Sequence, residues 1–134
     1  MDRAVKVACV QVEPVIFELE RTLDRLEEVA AEAARNGAEL VVFPETFVPA
    51  YPSSRWAKAF AGWQNDGAKQ TFALLAQNSI AVGSPAERRI GAAAKELGIW
   101  PVTGVNEHES DRHGTISNQL LYHSPGGEPH LHHR

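Results

Sequence analysis

The sequence is short of several things, and each shortage narrows what the chain can be. Its 134 residues include one cysteine, Cys9, so no internal disulfide can form and a reducing compartment is expected. Positive charge is not in surplus either: 13 Lys+Arg stand against 17 Asp+Glu, a formal net charge of −4. A chain of that balance is poorly suited to neutralising phosphates, which argues against a nucleic-acid partner. Long hydrophobic runs are missing. Apolar stretches such as residues 40–43 are far below the roughly 20 residues of a membrane span, so no membrane partner is expected. Met1-Asp2-Arg3 leads into a strand-like run instead of a signal-peptide pattern, and the expected location is cytoplasmic. No GxGxxG or Walker pattern follows a strand, which leaves no phosphate cradle. His130, His132 and His133 lie close together, but no further ligand has recognisable spacing. They read as an exposed basic strand end, and neither a metal nor a cofactor is expected.

What is present has a globular balance, 43% hydrophobic and 22% charged, at a length suited to one domain over residues 1–134. Residues 4–12 are almost continuously apolar and β-branched, which predicts a strand covered on both faces, with Cys9 packed inside it as a small hydrophobe. Leu19, Leu23, Leu26, Ala30 and Ala33 recur at spacings of four and three, predicting a helix over residues 18–35 that Asn36-Gly37 ends. A second strand follows over residues 39–43. Strand, helix and strand in forty residues make a βαβ unit with parallel neighbours. Trp56, Phe60 and Trp63 share helical spacing and predict a short apolar face. Asn65-Asp66 caps a helix through about residue 78, with Phe72 and Leu75 inward. Ser84-Pro85-Ala86-Glu87 is a capping box, and Ile90, Ala94 and Leu97 form the buried face of the helix that Gly98 closes. Strands are predicted over residues 99–105 and 116–123.

Open α/β sheets place ligands beyond the carboxyl ends of their strands, where Pro44-Glu45-Thr46 falls. An acid there is either solvated at the rim or held in a pocket that disfavours its charge. The segment Phe43-Pro44-Glu45-Thr46-Phe47-Val48-Pro49-Ala50-Tyr51-Pro52 resembles the catalytic-glutamate segment of the nitrilase branch of the carbon–nitrogen hydrolase family. The opening Val-Ala-Cys-Val-Gln strand, Gly104-Val105-Asn106-Glu107, Gly114-Thr115, Asn118-Gln119-Leu120-Leu121 and the Gly127 turn keep the family's order, so the resemblance covers essentially the whole chain. Ser117, where a tyrosine is common, and Pro101, inside a strand, depart from the pattern.

The resemblance implies an α/β fold, the N-terminal half of a four-layer α-β-β-α sandwich. It implies a glutamate, lysine and cysteine set, of which only the glutamate, Glu45, has a matching position. The family lysine follows a basic run, and His132-His133-Arg134 would stand immediately before it. Cys9 falls in the first strand and does not match the nucleophile. Thr46 and Tyr51 are implied to line the substrate site, while Asn106 and Glu107 either orient the catalytic groups or serve structural hydrogen bonds. Glu45 is then expected in a concave, poorly solvated site at the end of the second strand. The implied reaction hydrolyses a small-molecule nitrile to a carboxylic acid and ammonia; an amidase or carbamoyl hydrolase of the same family is the alternative. A non-catalytic chain acting only through subunit association is the reading from another class. Apolar strands that lack a covering sheet predict self-association, and a homo-oligomer is expected.

Overall fold

The computed structural model describes residues 3–51, 62, 64–109 and 114–134. The expected apolar face of Trp56, Phe60 and Trp63 lies outside them. The elements run β1 (Val7–Cys9), α1 (Leu19–Arg35), β2 (Leu40–Val42), α2 (Asp66–Gln77), α3 (Pro85–Leu97), β3 (Trp100–His108), β4 (Ile116–His123) and β5 (Pro129–His133). One five-stranded sheet holds the strands in the order β1-β2-β3-β4-β5. β1, β2 and β3 are parallel, and β4 and β5 join antiparallel. Connectivity explains the change: helices link the first three strands, whereas β4 turns directly into β5. Among the described residues no helix is long and apolar enough to cross a membrane.

The helix boundaries follow their caps. Asn65 accepts from the Gly67 amide at 2.9 Å, and Ser84 accepts from Glu87 N at 3.3 Å. Gly98, at φ +65°, ends α3 in the left-handed conformation that glycine adopts without steric cost. At the start of α1, Glu18 makes no side-chain cap, and Asn78 Oδ1 accepts from Leu19 N at 3.0 Å instead. Leu23, Leu26 and Ala30 of α1 and Ile90 of α3 meet Val41, Val105 and Leu121 of the sheet in one core. Arg89 ties the two helices together through Asp24 and through Glu27, whose Oε1 accepts from Nε at 2.6 Å. These charge-assisted bonds, to Glu27 foremost, raise the Arg89 pKa.

On that helix-bearing face α3 also carries Glu87, buried in its first turn. Its carboxylate accepts from Gly83 N and lies 2.8 Å from His132 Nε2 and 3.9 Å from His123 Nε2. The His132 contact is short but lacks the alignment of a hydrogen bond. His132 is therefore not part of an exposed strand end, as its neighbours had implied: the pleat turns it toward α3 and His133 away, and the register shift beside His123 leaves His130 exposed.

The opposite face of the sheet carries no second layer among the described residues. The expected strand over residues 4–12 shortens to Val7–Cys9, at the edge of the sheet with one neighbour. Cys9 is exposed, which corrects its expected place inside the packing. The reason is the pleat: Ala8 turns toward α1, and Val7 (48% exposed) and Cys9 turn toward the uncovered face. Pro101 is tolerated within β3 because pairing with β4 begins only at Val102, so the missing N–H leaves no gap in that ladder.

Candidate active site

The edge of β3 that faces β2 is partnered by three separate stretches of chain. β2 pairs with residues 100–102, Val48 bridges to Val105, and Ile80 bridges to Glu107. Between the first two the chain leaves the ladder. Phe43 N donates to Val102 O at 2.8 Å, and the chain rejoins where Val48 N donates to Gly104 O at 3.2 Å. The intervening turn is closed by Phe47 N donating to Pro44 O at 3.2 Å, with Thr46 at φ +45°. Phe43 and Phe47 pack against each other, ring centroids 5.2 Å apart, and clamp both ends of the turn.

This turn lies across Gly104. A Cβ at Gly104 would run into the Pro44 carbonyl oxygen and stand 2.8 Å from both Glu45 Cα and Thr46 N. The missing side chain is thus the space that the Glu45 backbone occupies. By alternation along β3, Gly104 shares its face with Val102 and Asn106, and that face is the one away from the helices. Glu45 accordingly stands on the uncovered face, where Asn118 Nδ2 donates a hydrogen bond to its Oε1. Asn118 pairs in register with Asn106, which is buried and donates from Nδ2 to Ala50 O at 3.3 Å.

Glu45 does lie just beyond β2, but it is exposed, contrary to the expected poorly solvated site. The turn lifts it above a sheet face that carries no second layer among the described residues. Thr46 is the opposite case, 2% exposed with its Oγ1 enclosed, and Tyr51 is 54% exposed, so the two expected lining residues do not share one environment. Asn106 holds the far end of the Glu45 loop. Glu107, also buried, accepts from Arg134 Nε at 3.0 Å and from a second guanidinium nitrogen at 3.2 Å. That fork, together with Glu109, raises the Arg134 pKa and fixes the end of β5 against β3. The sequence marked Gly104 and Asn118 only as parts of a motif; their contacts with the Glu45 turn depend on register, which carries no local signal.

A family model described as carbon-nitrogen hydrolase matches residues 6–134. An aliphatic nitrilase of Rhodococcus rhodochrous is 41% identical over 106 residues, which are 78% of this chain and 27% of the relative. An arylacetonitrilase of Hypocrea virens is 37% identical over 133 residues, 99% of this chain and 37% of the relative. The chain thus spans about a third of the length of these relatives. Among solved structures, an amidase of Nesterenkonia sp. AN1, shown with acrylamide added at its active-site cysteine, superposes with a TM-score of 0.65 at 17% identity. That likeness covers 96% of this chain and 43% of the amidase, and it shows a shared fold, with the helix layer and sheet described above as part of a nitrilase-like α/β architecture. On the span of the family match and the identity to the nitrilases, the chain belongs to the carbon–nitrogen hydrolase family.

Proposed function

We propose that these residues supply the general base of a nitrilase-type hydrolase, and that the base is Glu45. The observation that carries the reading is the turn over Gly104: a carboxylate is lifted from the sheet plane and oriented by Asn118 at the carboxyl end of a parallel strand. The relatives named as nitrilases favour a nitrile as the substrate over an amide.

In this reading a cysteine thiol outside the chain loses its proton to Glu45, and the sulfur adds to the nitrile carbon, forming a C–S bond as one C–N π bond becomes N–H. Water then adds to the thioimidate, ammonia leaves with a proton passed on by Glu45, and a second water releases the acid and restores the thiol. Two waters enter, and one acid and one ammonia leave. A lysine stabilises the negative charge that develops on the substrate. The resemblance puts that lysine directly after Arg134. Extending the β5 ladder, in which His133 pairs with Leu120, brings the next position opposite Asn118 on the face of Glu45. Cys9 is two strands from Gly104 in the sheet, at roughly 4.8 Å per strand, and two residues further along, too far to share a proton with Glu45. Thr46 and Tyr51 contribute to the substrate side of the completed site, and a cytoplasmic homo-oligomer without metal or cofactor is the form we assign.

A chimaera joining residues 1–134 to the C-terminal portion of the Rhodococcus rhodochrous nitrilase tests the reading. It should release ammonia from aliphatic nitriles faster than from the matching amides, and the 134-residue chain by itself should release none. Faster cleavage of amides would turn the reading to an amidase. Ammonia from the chain alone would overturn the placement of the nucleophile.

A further inference from the structure

We infer that Asn118 is a positioning residue for Glu45, setting which carboxylate oxygen is presented to the reacting thiol. The inference rests on the reading of Glu45 as the base.

Asn118 Nδ2 donates to Glu45 Oε1, and among the described residues no other donor reaches that carboxylate. An ionised carboxylate only accepts hydrogen bonds, so the amide must turn its Nδ2 toward it, with Oε2 left for the proton in transit. The chemistry of the partner matters. A lysine at this place would hold the carboxylate in an ion pair and weaken it as a base, and an aspartate would compete for the same proton. An amide stays a donor throughout the working pH range and takes no proton, so it orients the base without altering its charge.

The loop has its own anchors. Val48 N bonds to Gly104 O, Asn106 N bonds to Val48 O, and the Asn106 side chain holds Ala50 O. Phe43 and Phe47 fix the ends of the turn from the helix-bearing side. The backbone of Glu45 is therefore placed without Asn118, and what remains for Asn118 is the orientation of the exposed carboxylate. An exposed glutamate without such a partner samples several rotamers, most of them unproductive. Asn118 itself projects from β4 where the strand pairs with β3, opposite Asn106, so its backbone is held in register beside the Glu45 loop.

The test uses the chimaera described above. Asn118→Ala should lower kcat by about 10²-fold, with KM and the thermal midpoint unchanged. Asn118→Asp, which sets a second carboxylate against the first, should move the acid limb of the pH–rate profile to higher pH. A structural role alone would lower the thermal midpoint and leave the pH–rate profile in place. If Asn118→Ala keeps kcat within a few-fold while Glu45→Gln is inactive, the inference falls and the reading of Glu45 stands. If Glu45→Gln is also active, the reading falls and takes the inference with it. Independently of activity, the side-chain amide protons of Asn118 in the 134-residue chain should change chemical shift on Glu45→Gln. Amide protons left in place by that substitution would show that the hydrogen bond is not made.

Discussion

At Gly104 a missing side chain decides whether Glu45 can stand where it does. A methyl group there meets the Pro44 carbonyl and the Glu45 backbone, neither of which can rotate away as a long side chain would. Gly104→Ala should therefore cost about 1–3 kcal/mol of stability by overpacking, read as a lowered urea midpoint, and displace the turn from its place beside β3. An unchanged midpoint would mean that the turn does not rest on Gly104. The residues legible in the sequence were those whose signal is local: Glu45 after an apolar strand, Ser84 before a proline, Gly98 after a helix. Cys9 and the exposure of Glu45 were not legible, because each depends on whether another layer covers that face of the sheet. His132 was misplaced for a related reason, since its partner Glu87 is 45 positions away in the chain.

Elements show the same division between local and distant causes. The stripe of α1 and the box at the start of α3 are read within one turn of helix, whereas Asn78 caps α1 from 59 positions away and only the folded chain shows it. α3 meets β4 and β5 through Glu87, His123 and His132, and this contact carries a pH dependence. Burial lowers the pKa of His123 below the ordinary 6.5; Glu87 opposes that effect and His132 adds to it. Between the folded value and 6.5 the unfolded chain binds more protons at this site than the folded one, so stability rises with pH across that window. Above 6.5 the contribution is complete, and it is lost as the pH falls below that value. Urea midpoints measured from pH 7 down to about 5 should fall, and His123→Gln should flatten the slope. A slope unaltered by the substitution would place the effect elsewhere.

At the scale of the whole molecule, the decisive feature is a sheet whose one face is packed by α1 and α3 while the other carries no second layer among the described residues. Val7, Trp100 and Leu131 are exposed, with Cys9, around the strands that carry the Glu45 turn. Apolar patches of this kind drive association, so sedimentation of the isolated chain should give a mass above the 14.7 kDa monomer. A compact monomer with strong amide protection in β1 and β2 would show that the face needs no cover. That face also carries the Glu45 carboxylate, on which the proposed chemistry depends. The most direct measurement is the rate of ammonia release from an aliphatic nitrile by the chimaera, with and without Glu45→Gln. The substitution keeps the shape and removes the base, so kcat should drop by about 10²–10⁴-fold with the fold retained. A Glu45→Gln chimaera that releases ammonia within a few-fold of the parent rate would contradict it.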